Sequence, residues 1–398
     1  MRILYLADIR FPIERANGVQ TAETVWHLAE RGNVVTLLVR PDTASPARDP
    51  LGFFGLAPLA TLAIRRTRVA GPPAARRAQY LAAAVAAAIA PGRYDAVFTR
   101  DLGVASALLR LPRAVRPPVT YESHGYAPDV RRQLPDLIPN ARPASERQLK
   151  RLARREAHVW QRADGYVTIT RALAADLSTR FGVRARVLVA PDGARLAPAN
   201  QAPSRDHDDV PTATYAGHLY AWKGVDTLVA AAAFLPAARI RIVGGMPGEP
   251  DQARLRAKAE ALGVSARVEF VGYVPPPEVS AWLTRSDVLV LPNIDTSVSA
   301  RYTSPLKLFE YMAAGRPIVA SRLPALEEVL TDGLNALLVP PGDASALASA
   351  ISRLVTDPAL AAALAAQAKR DVANYSWARR AERLEELLRV ATGARPRT

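Results

Sequence analysis

The chain contains no cysteine, which excludes a disulfide framework and any thiolate nucleophile. Long apolar runs are missing as well. The best candidate, residues 51–64, is shorter than the ~20 residues of a membrane-spanning helix and is broken by Gly52, Gly55 and Pro58. The opening residues Met1-Arg2-Ile3-Leu4-Tyr5-Leu6 lack the regions of a secretory signal and read as a first buried strand. A cytoplasmic protein is the expectation. Lysine is scarce: of 52 basic residues, only Lys150, Lys223, Lys258, Lys307 and Lys369 are lysines. Where arginine is the default cation, each lysine marks a position to inspect.

Positive charge, by contrast, is in excess. The formal net charge is +15 and the pI about 10.5. Such a balance suits nucleic acid, an anionic membrane surface or a phosphorylated substrate; a composition biased towards arginine and alanine produces it equally well. Basic residues concentrate in 142–155, on an expected helix carrying Arg147, Lys150, Arg151, Arg154 and Arg155. The aromatics that stack on bases are scarce there. The expectation is therefore no nucleic acid, and a peripheral contact with an anionic membrane at its inner face or with an acidic acceptor.

A length of 398 residues suggests two domains. Short β-branched runs alternate with longer Ala/Leu-rich helical runs, the pattern of βα units around parallel sheets. Strands are expected at 2–7, 34–39, 96–99, 119–121, 165–169 and 187–190, with helices at 19–30, 74–89 and 145–162 between them. Residues 197–211 are polar and proline-containing and read as a linker. The alternation then restarts, with strands at 212–216, 239–243, 268–271, 288–291, 318–320 and 336–339. The fold class is α/β, two doubly wound Rossmann-like domains (1–196 and 212–375) facing across a cleft. A last amphipathic helix in 376–398 carries Trp377, Leu384, Leu387 and Leu388 on one stripe. Ligands of such sheets bind outside the carboxyl ends of the strands.

The most informative segment is Ser304-Pro305-Leu306-Lys307-Leu308-Phe309-Glu310-Tyr311-Met312-Ala313-Ala314-Gly315. Ser304 suits an N-cap, Pro305 the first helical position and Gly315 the stop. Lys307 then sits in the first turn, where the helix dipole disfavours a cation. A bound anion resolves that conflict, since free amides plus a lysine form a diphosphate site. Glu310, one turn on, matches the two hydroxyls of a ribose. Taken alone, a surface helix with an i,i+3 Lys–Glu pair reads the same way. Gly217-His218-Leu219-Tyr220-Ala221-Trp222-Lys223-Gly224 places a second lysine between a strand end and a helix start. Gly244 and Gly245 follow another strand, where they would let the backbone approach a ligand or simply turn.

These segments resemble the family 4 retaining glycosyltransferases of GT-B architecture. The resemblance covers nearly the whole chain and is strongest over 215–321. It implies that Lys223 binds the donor diphosphate, Glu310 the ribose, and the amides around Ser304, Pro305, Leu306 and Lys307 complete the phosphate cradle. Gly272-Tyr273-Val274 would line the base pocket, Tyr273 and Val274 touching the donor. Asn17-Gly18-Val19 looks like the family's glycine loop near the phosphates, and Glu122-Ser123-His124-Gly125 like its active-site histidine segment, with His124 at the donor sugar. The tail after Tyr375 looks like the final helix that crosses back to the N-terminal domain. The catalytic set so implied is His124, Lys223 and Glu310. The sequence departs from the family twice. The first of two glutamates eight positions apart is replaced by Tyr302, where sugar choice is read, and an arginine partner of Lys223 is replaced by His218.

The implied reaction moves a sugar from a UDP- or GDP-type donor to the hydroxyl of a glycan, lipid-linked sugar or small molecule, with retention. Residues 41–55 and 128–143 are expected as acceptor-shaping loops. No cofactor is expected, and no acidic cluster with metal-ligand spacing is present in the sequence. An epimerase or phosphorylase on the same architecture, or a non-catalytic nucleotide-sugar binder, would share these motifs.

Overall fold

The structure, a computed structural model, describes residues 1–137, 141–196, 210–246 and 249–393. Residues 197–209, most of the expected linker, lie outside the described residues, as do 394–398 at the end of the tail. The described residues fall into two compact units. One draws on Met1–Arg132, Ala144–Asp192 and the tail from Trp377; the other draws on Gln133–Pro143 and Gly193–Ser376.

The first unit is built on seven strands: β1 (Arg2–Arg10), β2 (Val34–Arg40), β3 (Leu62–Arg66), β4 (Ala96–Thr99), β5 (Val119–Ser123), β6 (Gly165–Thr168) and β7 (Val187–Val189). They form one parallel sheet in the order β3-β2-β1-β4-β5-β6-β7. Consecutive residues Ile3, Leu4, Tyr5 and Leu6 are all fully buried. That continuous apolar run is what a strand covered by helices on both faces requires. The chain winds outward from β1 to β3, then returns to β4, so the winding reverses between β1 and β4. The last helix, Trp377–Thr392, belongs to this unit. Its Ala381, Leu384 and Leu388 join the core of Ile3, Tyr5, Val25 and Leu28, and Leu387 packs against it.

The second unit has six strands: β8 (Thr212–Ala216), β9 (Arg239–Val243), β10 (Val268–Gly272), β11 (Val288–Leu291), β12 (Ile318–Ser321) and β13 (Leu337–Val339). Their order is β10-β9-β8-β11-β12-β13, again all parallel. Alternate residues feed two cores. Tyr215, Ile240, Ile242 and Val290 face one side, and Ala216, Val243, Leu289 and Leu291 the other. The winding reverses between β8 and β11, which makes the loops after those two strands the expected ligand edge.

Three local expectations change. The strand β3 was not anticipated, because LAIRR is short, ends in two arginines and is mostly exposed; sheet pairing with β2 makes it a strand. The expected loop 128–143 contains a helix, Ala127–Leu137. Pro128 sits in its first turn, where a missing amide costs no hydrogen bond, although Pro135 lies inside it. Gly18 is not in a loop. The helix Ala16–Glu30 begins two residues before it, and Gly18 is buried in the first turn because its bare Cα lies against Ile13: a Cβ there would overlap the Ile13 carbonyl.

Candidate functional site

In the second unit, the loops after β8, β9 and β11 meet backbone to backbone. Gly217 N donates to Val243 O at 2.7 Å, and Gly244 N donates to Gly272 O at 2.7 Å. Gly224 has φ +73°, and a Cβ there would overlap the carbonyl oxygen of Pro292, just after β11. Gly244 has φ +124°, and a Cβ there would overlap Gly217 O. Both positions need glycine twice over, for the left-handed backbone and for the close approach. This contact draws together the loops that carry the two lysines.

Lys307 lies in the first turn of the helix Leu306–Ala314. The N-cap is Pro305 rather than Ser304, and among the described residues no side-chain cap is made at this position; the Pro305 carbonyl starts the ladder by accepting from Leu308 N at 2.9 Å. Proline has no hydroxyl to return to the helix amides, so this end stays open to an anion. The Lys307 side chain runs across Gly217, where any Cβ would overlap its Cε and Nζ. Its ammonium bonds to the Tyr215 hydroxyl and stands 4.0 Å from that ring's centroid. Tyr215 in turn donates to the His218 carbonyl at 2.5 Å.

Lys223 approaches from the loop after β8. Its ammonium stands 3.6 Å from the Trp222 ring centroid. Among the described residues, neither lysine forms an ion pair. Burial pushes the Lys223 ammonium down to about 7. Burial, and then the neighbouring charge of Lys223, hold Lys307 well below the usual lysine range, opposed by Glu310 and Glu249. Burial and mutual repulsion thus disfavour the charged form of both lysines. The first unit behaves differently. There Arg40 and Arg77 both pair with Asp8, and Arg77 also pairs with Asp101.

The other expected donor residues distribute around this edge. His218 stacks on Tyr220 at 5.1 Å between centroids and 8° between planes, and Tyr220 stacks on Trp222 at 6.5 Å. Gly245 packs under Leu219, whose Cδ1 would be 2.7 Å from a Cβ. Glu310 is half-buried one turn beyond Lys307. Tyr302 is buried, with 3% exposure, and Ser304 is half-buried just before the helix. Tyr273 is exposed immediately after β10, and Val274 packs against the core beneath the sheet.

His124 lies in the first unit, one residue past β5. Its Nε2 is 2.6 Å from Glu122 Oε1. Glu122 is fully buried and also accepts from Gln20 Nε2 and, at 2.7 Å, from Arg380 Nη2. Arg100 donates to Gln20 Oε1. Glu122 entered the sequence reading only as a neighbour of His124, and Gln20, Arg100 and Arg380 were missed. A charged pair at 122 and 380 has no short-range sequence signal. The one clue was an arginine on the apolar stripe of the last helix, between Trp377 and Leu384.

The sequence pattern described as Glycosyltransferase Family 4 matches residues 18–197. That described as Glycosyl transferases group 1 matches residues 210–357. Between them the two patterns take in most of both units, and the chain belongs to glycosyltransferase family 4. Among known relatives, the D-inositol 3-phosphate glycosyltransferase of Rhodococcus opacus is 34% identical over 189 residues, 45% of this chain and 41% of that protein. The enzyme of the same name from Acidothermus cellulolyticus is 34% identical over 242 residues, 56% of this chain and 52% of that one. The chain thus spans about half the length of the relatives it matches. Among solved structures, sucrose-phosphate synthase from Thermosynechococcus elongatus superposes with a TM-score of 0.78 at 22% identity over 98% of both chains. Anabaena HepE, solved with UDP and glucose, gives 0.71 at 17% identity over 97% of this chain and 98% of that one. The fold is GT-B, with two Rossmann-like units.

Proposed function

We propose that the protein is a retaining, metal-independent glycosyltransferase that moves a sugar from a nucleoside-diphosphate-sugar to an acceptor hydroxyl. The observation that carries this reading is the Lys223–Lys307 pair at the uncapped helix end, beside the winding reversal of the second sheet. Family membership and the UDP and glucose bound to HepE support a nucleotide-sugar donor. In this reading the diphosphate lies on the amides of Leu306 and Lys307, the two ammonium groups regain full charge against it, and Glu310 accepts from the ribose hydroxyls. Tyr273 and Val274 border the base.

The bond from the anomeric carbon to the diphosphate oxygen breaks, and the acceptor oxygen bonds to that carbon on the same face. The acceptor proton passes to the departing diphosphate. The negative charge that develops on the leaving group meets donors already fixed in place, which is the largest source of rate enhancement in sites of this kind. In the same reading His124 is a catalytic residue. The acceptor is a hydroxyl of a glycan, a lipid-linked sugar or a small polyol, the last in keeping with the inositol phosphate named for the relatives.

A peripheral contact with anionic lipid is part of the same proposal. Arg147, Lys150, Arg151 and Arg154 are all exposed and recur at helical spacing along Glu146–Arg162. None of the four forms an ion pair among the described residues.

The test is incubation with a panel of UDP- and GDP-sugars and polyol, glycan and lipid-linked acceptors. Release of nucleoside diphosphate together with a product of unchanged anomeric configuration by proton NMR is expected. Sugar phosphate, a free epimer, or binding without turnover would contradict it.

A further inference from the structure

We propose that Arg380 is a positioning residue: from the chain's last helix it clamps Glu122, and through that carboxylate it fixes His124 as the neutral Nε2–H tautomer, leaving Nδ1 as the ring's acceptor. The inference deepens the reading of His124 given above and rests on it for the catalytic consequence.

Arg380 is 4% exposed. Each of its nitrogens is used. Nη2 donates to Glu122 Oε2 at 2.7 Å, Nη1 to Thr24 Oγ1 at 3.0 Å, and Nε to the Pro191 carbonyl at 3.1 Å. These partners come from β5, from the helix Ala16–Glu30 and from the segment after β7. A guanidinium so held presents its charge to Glu122 in one geometry. The second carboxylate oxygen, Oε1, accepts from His124 Nε2 at 2.6 Å and from Gln20. An ionised carboxylate is an acceptor only, so the imidazole proton sits on Nε2. His124 Nδ1 has no hydrogen-bond partner among the described residues.

A buried carboxylate beside a histidine has two resting states. It can ionise next to a neutral imidazole, or it can draw a proton onto the ring and form an imidazolium. The first leaves Nδ1 an acceptor; the second makes it a donor. Arg380 and Arg100 decide between them. The groups facing His124 are Glu122 and Gln20, with Arg100, Arg380, Asp192 and Tyr5 around the same carboxylate. Burial and the two guanidinium charges hold the imidazole down at about 4 against the pull of Glu122. With Arg380 in place the carboxylate's charge is already balanced, and a third cation is disfavoured. Without Arg380, His124 becomes the nearest group able to neutralise Glu122.

The experiment is long-range 15N–1H NMR of the five histidine rings in the full chain, with assignment by His124→Gln, followed across pH in wild type and variants. Wild type should show the Nε2–H tautomer at neutral pH and a midpoint near 4. In Arg380→Met the midpoint should rise by about one unit or more. Its kcat should fall about 10-fold or more, while nucleoside-diphosphate affinity, which belongs to the other unit, stays within about 2-fold. Arg380→Lys, which keeps the charge, should keep the low midpoint. A folded Arg380→Met with an unmoved His124 midpoint overturns the proposal. Should that variant not fold, Glu122→Gln/Arg380→Met removes both buried charges together, an exchange that buried ion pairs tolerate. The double variant should show a mixture of tautomers, and a single unchanged Nε2–H form would overturn the proposal equally. The NMR readout needs no substrate. If wild type transfers no sugar, the reading of function fails while the role of Arg380 is still decided.

Discussion

Lys307 rests its ammonium on Tyr215, 4.0 Å from the ring centroid and bonded to the phenol oxygen. That phenol in turn donates a hydrogen bond to the carbonyl of His218. The strand end, the loop after it and the helix after β11 are thereby tied together. Preorganisation of this kind lowers the cost of binding.

The partial discharge of the lysines has a sign that can be measured. Lys223 titrates at about 7 in the folded chain, against about 10.4 when unfolded. Between these values the unfolded chain holds more protons, so this group's contribution to stability rises with pH across that window and is least favourable below 7. Lys223→Met should therefore stabilise the ligand-free protein at neutral pH by about 1–2 kcal/mol, after loss of the contact with Trp222, and the gain should shrink towards pH 10. Diphosphate binding restores the charge. Calorimetry in two buffers of different ionisation enthalpy should show proton uptake at pH 8, about one proton at Lys223 with a further contribution from Lys307, and affinity that falls as pH rises through 7. Binding without proton uptake would contradict the discharge.

Glu156 offers an independent check in the first unit. It is fully buried, accepts from the Tyr166 hydroxyl at 2.8 Å and from Ala127 N at 3.3 Å, and is pushed up by burial to about 7. Here the folded chain holds the proton more tightly, so stability from this group is present below about 4.5 and is lost as pH rises to 7. Glu156→Gln should be near neutral at pH 4.5 and stabilising at pH 8 by up to about 3 kcal/mol, read from denaturant midpoints. Equal effects at both pH values would show that the carboxyl ionises normally.

Gly224→Ala should be costly. The left-handed backbone alone costs an alanine about 1–2 kcal/mol, and the overlap with Pro292 O adds to it. The loops after β8 and β11 would have to part, so melting temperature and nucleoside-diphosphate affinity should both fall. A drop in stability with affinity intact would detach this contact from the site.

The stripe of Arg147, Lys150, Arg151 and Arg154 should bind vesicles containing phosphatidylserine and not neutral ones. Near such a surface each basic residue contributes about 1 kcal/mol. Lys150→Glu/Arg154→Glu should abolish co-sedimentation and leave diphosphate binding unchanged. Equal partition onto neutral vesicles would contradict an electrostatic contact.

Much of the second unit was legible because its signals are local. Lys307 against its helix dipole, Lys223 between a strand and a helix, and glycines at strand ends each announce themselves within a few residues. What escaped was set by distance along the chain. Arg380 meets Glu122 across 258 positions, and no spacing rule reports such a pair. Likewise, Gly18 looked like a loop residue because the reason for its glycine is the Ile13 backbone above it, and β3 was hidden because pairing rather than side-chain pattern makes it a strand. Ser304 looked like a cap because serine usually is one. The structure instead puts Pro305 there and leaves the helix end open, which fits an anion site better than the capped end did.

The most direct measurement is titration calorimetry of UDP and GDP into wild type, Lys307→Ala and Lys223→Ala at pH 7. Charge-assisted hydrogen bonds contribute about 1.5–3 kcal/mol each, so each substitution should weaken binding of the preferred nucleotide roughly 10- to 150-fold while the fold remains intact by circular dichroism. Wild-type affinity in Lys307→Ala, or no binding of either nucleotide to the wild-type chain, would contradict the account.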